Sequence, residues 1–220
     1  DKLMAKKFFL SEGIPTPKFI EVKDPTALID TDHFKFPLIV KPRYEGSSKG
    51  IDSNARINNL EQLTRRAEYI IKTYKQPALV EEFIKGREFT VAIVGNEPPE
   101  VLPPVQIKIA GELNLGEKFY TFEYISSSDL EYVCPAPITR DLEDKLKELA
   151  LQAYRVVECR DFGRVDFRVD EQDNPYVLEI NPLPCLAAED VFMLIPKVLG
   201  MTYPQMIGKI LESAFKRYNL

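Results

Sequence analysis

Gly163-Arg164-Val165-Asp166-Phe167-Arg168-Val169 and, beyond a polar turn at residues 170–175, Tyr176-Val177-Leu178-Glu179-Ile180-Asn181 decide how this chain is read. Both stretches alternate polar and apolar residues and are joined by turn chemistry, which predicts a β-hairpin. Strand side chains point to alternate faces, so Arg164 shares a face with Asp166, and Glu179 with Asn181. A turn centred between Gln172 and Asp173 pairs Asp166 with Glu179 and Arg164 with Asn181. One face then carries two carboxylates, an amide oxygen and a guanidinium, while Val165, Phe167, Leu178 and Ile180 occupy the other. Hard oxygen donors of this kind suit Mg²⁺, which typically keeps waters or phosphate oxygens in its octahedron. No histidine or thiolate belongs to the set, which disfavours zinc. A solvated hairpin face carrying an ion pair is the competing reading of the same residues.

Outward from the hairpin, helices and strands mix throughout. Residues 1–12 read as a short helix capped by Asp1 and stopped by Gly13, with Pro15 and Pro17 beyond. The apolar run at 37–40 ends in Lys41-Pro42 and reads as a buried strand. Leu60, Leu63, Ala67, Ile70, Ile71 and Tyr74 recur at helical spacing, with Asn58 and Glu61 placed as a capping box. Strands are expected at 78–83, 88–94 and 101–109. A second amphipathic helix runs from Leu142 to Val157, and helices near 188–199 and 202–218 close the chain. This is an α+β pattern with mainly antiparallel sheets, without the β–α alternation of a doubly wound fold.

Composition narrows the function. The 220 residues include 45% apolar side chains, enough for one large domain or two small ones. No run of about 18 apolar residues predicts a membrane span. A net charge of −5 argues against an extended nucleic-acid surface, though a small basic pocket for a nucleotide is compatible with it. Cys134, Cys159 and Cys185 are too few for a disulfide framework, so a reducing cytoplasm is expected. His33, the single histidine, lies in Thr31-Asp32-His33-Phe34 and reads as a solvated loop residue, leaving no histidine-based mechanism in view.

Two further stretches bear on chemistry. Lys41-Pro42-Arg43-Tyr44-Glu45-Gly46-Ser47-Ser48-Lys49-Gly50 joins a fixed cation to glycines and hydroxyls, a combination that suits phosphate. It does not match the Walker pattern, and a plain flexible loop is the alternative. Leu79-Val80-Glu81-Glu82-Phe83-Ile84, with Gly86-Arg87-Glu88-Phe89 after it, brings an apolar strand into a short linker. Its backbone groups suit a purine edge and its acids suit an exocyclic amine or ribose hydroxyls, against the alternative of a solvated strand end.

Taken in order, these segments resemble the ATP-grasp ligases, most closely the D-alanine–D-alanine ligase family. The resemblance is carried by Asp1-Lys2 with Gly13-Ile14-Pro15, Val40-Lys41-Pro42 with Glu45-Gly46-Ser47-Ser48, and Glu81 to Ile93. Tyr132-x-Cys134-Pro135-Ala136, Gly163-Arg164-x-Asp166 and Leu178-Glu179-x-Asn181 complete it. It implies two lobes that clasp a nucleotide, residues 1–74 with the phosphate loop and 77–220 with the hinge and metal hairpin. It further implies ATP held by Lys2, Lys41, Gly46, Ser48, Glu81, Glu82, Ile84, Glu88 and Leu178. Two Mg²⁺ ions, or Mn²⁺ in their place, fall to Asp166, Glu179 and Asn181. Arg164 and Ser47 are the implied catalytic positions. The implied reaction is amide formation through an acyl phosphate, with ATP and an amino acid or small peptide as partners and a homodimer as the assembly.

The departures are as informative. The family's Lys-Tyr pair over the active site is replaced by Glu123-Tyr124-Ile125-Ser126. Cys185 stands at a glycine position, read here as a small packing residue, and Asp190 stands at or near a serine that meets the acceptor's carboxylate. An aspartate there would repel that carboxylate, so an acceptor other than D-alanine is expected. Family members also carry an N-terminal α/β domain, and the start at Asp1 reads as the edge of an excised piece. The alternatives are a nucleotide-binding module without ligase activity and an ATP-grasp kinase acting on a polyol.

Overall fold

The computed structural model describes residues 1–25, 33–187 and 190–220. Strands β1 (Phe19–Val22), β2 (Leu38–Pro42), β3 (Arg56–Ile57) and β4 (Ala78–Glu82) form a four-stranded antiparallel sheet in the order β1-β4-β2-β3. Helix α2 (Leu60–Tyr74) covers one face, burying Leu63, Ala67 and Ile70 against Leu38, Val40, Ala78 and Val80. Its cap lies one residue later than expected. Asn59, in extended conformation at φ −156°, accepts from Gln62 N–H at 2.9 Å, while the Gln62 side chain accepts from Asn58 N–H at 2.7 Å.

Strands β5 (Arg87–Val94), β7 (Val105–Ile109), β8 (Leu130–Val133), β9 (Phe162–Val169) and β10 (Pro175–Asn181) form the second sheet in the order β10-β9-β5-β7-β8, with β6 (Glu100–Val101) paired to β5. The single strand expected over 101–109 is thus two strands. Pro103 and Pro104 lack the N–H a continuous ladder requires. Alternation along β5 explains the layers. Phe89, Val91 and Ile93 face helices α1 (Lys2–Ser11) and α3 (Arg140–Val156), together with Phe9, Leu142 and Leu146. On the opposite face Ala92 and Val94 pack under α4 (Val191–Val198) and α5 (Tyr203–Tyr218). Toward the start of the strand that same face carries Glu88 and Thr90, which line a cleft instead of the core beneath α4 and α5. The helix expected near 188–199 starts at Val191; Ala188 and Glu189 lie outside the described residues.

The hairpin pairs Asp166 with Glu179 and Arg164 with Asn181, as the sequence predicts. It reaches that register by an unpredicted route. Next to the turn Val169 pairs with Pro175 and Phe167 with Val177, one residue out of step, and a bulge at Leu178 restores the step. Leu178 therefore does not share a face with Val165 and Phe167; it turns toward the cleft beside Glu179.

The sheets do not divide the chain at residues 74–77. Strand β4 belongs to the first sheet, so the division between sheets falls beyond Glu82. Helix α1 in turn seats Phe9 in the core of the second. Gly86 marks the crossing, with φ 142° and a position where a Cβ would lie 2.1 Å from the Val169 carbonyl oxygen.

Candidate active site

Between the sheets lies a cleft of about 450 Å³, within the range of small-molecule sites. Every residue predicted to form the site lines it: Lys2, Lys41, the loop Gly46-Ser47-Ser48, Glu81, Glu82, Ile84, Glu88, Arg164, Asp166, Leu178, Glu179 and Asn181. Ser47 and Ser48 are left-handed, at φ 49° and 53°, a conformation that costs a non-glycine residue energy and recurs at ligand-holding loops. Gly46 has open space where a Cβ would stand, so nothing in the surrounding fold requires glycine there.

The cleft floor is a network of buried charge. Glu81, 1% exposed, lies 2.9 Å from Lys41 Nζ and 3.3 Å from Lys6 Nζ, and its Oε2 has no hydrogen-bond partner among the described residues. Burial pushes the Glu81 carboxyl up, but the two ammonium groups overcome this and hold it below the ordinary range. Lys6 is wholly buried, donates to Thr16 Oγ1 at 2.8 Å, and is brought down to about 8 by lost hydration, against the attraction of Glu81. Glu179 receives Lys2 at 3.0 Å; burial raises its carboxyl, and Lys2 with Lys41 lowers it further than that.

Asp166 is the most heavily engaged carboxylate on the hairpin. Its Oδ1 accepts from Thr90 Oγ1 at 2.7 Å and Arg164 Nε at 2.9 Å, and its Oδ2 accepts from Asn181 Nδ2 at 2.8 Å. Among the described residues, no group of three or more His, Cys, Asp or Glu side chains converges to hold a metal. Asp166 and Glu179 are still paired across adjacent strands, with Asn181 two residues beyond Glu179, and hard oxygen donors of this type suit Mg²⁺. Lys2 on Glu179 and Asn181 on Asp166 occupy part of that donor set from within the protein.

At the far end of the cleft, Asp190 caps α4 through Val191 N–H at 2.7 Å and lies 3.5 Å from Arg164 Nη1. Cys185 is exposed in the cleft wall, which corrects the packing role expected for it. Tyr120 and Tyr132 place their hydroxyls 3.4 Å apart beside this end, and burial raises both phenols. The segment that replaces the expected Lys-Tyr pair forms a short 3-10 helix, Phe122–Ser126, and Phe122 N–H donates to Ile51 O at 3.0 Å across the cleft mouth. His33 is exposed and outside the cleft.

Sequence reading missed Lys6, Thr90, Tyr120 and Arg168. Arg168 stands two residues from Asp166 on one strand face and Lys6 one helical turn from Lys2, so periodicity held a signal for both. No such signal exists for Tyr120, which a loop brings to the site.

Comparison with known proteins agrees with this geometry. A D-alanine–D-alanine ligase of Bacillus anthracis complexed with ATP superposes with a TM-score of 0.80 at 24% identity, over 98% of this chain and 66% of that one. The ligase of Coxiella burnetii superposes at 0.77 and 21% identity, over 99% of this chain and 57% of that one. At these identities the likeness establishes the ATP-grasp fold alone. In sequence, a D-alanine–D-alanine ligase of Bordetella avium is 33% identical over 97% of this chain and 65% of its own length. An uncharacterized protein of Sinorhizobium fredii, y4sG, is 36% identical over 99% of this chain and 63% of its own. The chain thus spans somewhat less than two thirds of these relatives. No helix among the described residues is long and apolar enough to cross a membrane. The family described as the D-ala D-ala ligase C-terminus matches residues 8–212, and to that family this chain belongs.

Proposed function

We propose that this chain is the nucleotide-clasping part of an ATP- and Mg²⁺-dependent carboxylate–amine ligase that forms an amide or peptide bond. The observation that supports this most is the convergence of Lys2, Lys41, Arg164, Asp166, Glu179 and Asn181 on one cleft between two sheets. In this reading each sheet anchors one lobe. Lys2, Lys41 and the backbone N–H groups of Gly46, Ser47 and Ser48 hold the phosphates. The hinge at Glu81, Glu82 and Ile84 meets adenine, Glu88 accepts from the ribose, and Leu178 supplies an apolar wall. Asp166, Glu179 and Asn181 would hold one or two Mg²⁺ ions, or Mn²⁺. Bound there, the metal neutralises and orients the transferring phosphate.

The chain's own groups position rather than react. A substrate carboxylate oxygen attacks the γ-phosphorus and ADP leaves; an amine nitrogen then attacks the acyl carbon, phosphate leaves and the amine proton is lost. Arg164, whose charge burial weakens and Asp166 reinforces, offers its guanidinium to the phosphoryl oxygens. Asp190 at the acceptor end disfavours an acceptor carboxylate beside it, so D-alanine is not the expected acceptor. The Glu123–Ser126 stretch in place of the Lys-Tyr pair favours the second reading, a nucleotide-binding module without ligation.

Calorimetry with ATP and Mg²⁺ tests both. Wild type should bind ATP in a Mg²⁺-dependent manner, and Asp166→Asn should lose at least about tenfold in affinity. Absence of ATP binding by wild type would sink both readings. ADP release with amino-acid pairs, assayed on this chain and its parent protein, then separates ligase from binding module.

A further inference from the structure

Arg168 lines the cleft but has no task in the chemistry proposed above. It is 4% exposed, and β9 turns it to the same face as Arg164 and Asp166. Its guanidinium makes four hydrogen bonds, all to neighbouring segments. Nε donates to Ile84 O at 2.9 Å, Nη2 to Gly116 O at 3.1 Å, and Nη1 to Lys118 O and Glu88 Oε2, each at 3.2 Å. The group also stacks over the Phe83 ring at 5.2 Å. Only a planar fork with several donors meets so many acceptors at once; a lysine would supply a charge without that geometry.

Glu88 is the partner with consequences. Its Oε2 accepts from Arg168 and, at 3.4 Å, from Tyr120 N–H, while its Oε1 receives no hydrogen bond among the described residues. We propose that Arg168 is a positioning residue that clamps Glu88 by one oxygen, leaves the other free for the nucleotide's sugar hydroxyls, and ties the hinge to the loop at 116–120. The inference rests on reading the cleft as an ATP site. Burial pushes the Glu88 carboxyl up and Arg168 opposes it, so the clamp also favours the ionised acceptor that a hydroxyl donor needs.

The test compares ATP with 2′,3′-dideoxyATP by calorimetry on the full chain with Mg²⁺. Wild type should prefer ATP by about tenfold or more, the worth of a hydrogen bond to a charged group. Arg168→Met should reduce that preference to within about threefold, and Arg168→Lys should fall between. The ratio of two affinities is insensitive to the fraction of protein folded, so a merely structural role would lower both affinities and leave the ratio unchanged. Glu88→Gln should lose the preference as well, and the double variant should lose no more than either single one. If wild type binds no ATP, the nucleotide reading falls and the clamp with it. If wild type binds ATP but Arg168→Lys and Arg168→Met keep the full preference, the clamp alone is overturned.

Discussion

Replacing Lys6 by Met probes the buried charge under the cleft. The Lys6 ammonium is wholly buried, 3.3 Å from Glu81 and 5.7 Å from the Phe19 ring centroid. Lost hydration brings its pKa from 10.5 to about 8, opposed by Glu81 and aided by the nearby Lys41. Between those values the unfolded chain keeps a proton that the folded chain has released, so this group's contribution to stability rises with pH from about 8 to 10.5 and is lowest below 8. At 1.36 kcal/mol for each unit of pKa, charged Lys6 costs about 3 kcal/mol at pH 7 and less than about 1 kcal/mol at pH 10. Urea denaturation of wild type and Lys6→Met across that range should show the difference moving by roughly 2–3 kcal/mol in favour of wild type. Subtraction cancels Tyr120, Tyr132 and Tyr154, whose phenols burial raises and which weaken both proteins at the alkaline end. A difference constant to within about 0.5 kcal/mol would refute the picture of a charged lysine held against its hydration cost.

Two further substitutions test the frame around the cleft. Lys41→Met removes the nearer of the two ammonium groups on Glu81 and should cost about 2–4 kcal/mol, read as a fall in melting temperature of roughly 5–15 °C; a fall under about 3 °C would count against the network. Gly86→Ala places a methyl 2.1 Å from the Val169 carbonyl oxygen at φ 142°, so a loss above about 3 kcal/mol is expected in denaturant titration, and near-neutrality would contradict the close approach.

Much of this architecture was legible in the sequence because periodicity reports directly on faces. Alternation placed Arg164 with Asp166 and Glu179 with Asn181, and helical spacing located α2 and α3. What escaped was whatever depends on a partner distant in the chain. Strands β1, β3 and β8 are short and take their identity from the neighbours they pair with. The bulge at Leu178 breaks the period of two on which face assignment rests, so a residue that alternation puts on the face opposite Glu179 stands in the cleft, where the family resemblance had it. Lys6 reads as an ordinary polar position on a short helix, and only the packing of α1 against the second sheet buries it beside Glu81. Cys185 departs from expectation for the opposite reason: free cysteines are usually buried, and this one stands exposed in the cleft wall.

Helix α1 has a mechanical consequence for the cleft. Its body is rooted in the second sheet by Phe9, fully buried and worth about 2–3 kcal/mol of apolar burial. Its tip is tied to the first sheet's loop: Asp1 pairs with Arg43, the Lys2 N–H donates to Arg43 O at 3.2 Å, and Lys2 Nζ donates to Glu45 O. The helix is thus a strut across the gap, held to the first sheet both at its tip and, midway, by the buried Lys6–Glu81 contact. Any widening of the gap would load both ties, and the one at the tip includes Lys2. The same ammonium that rests on Glu179 would then register how far the two halves stand apart, coupling the charge at the carboxylate proposed to hold metal to the opening of the jaws.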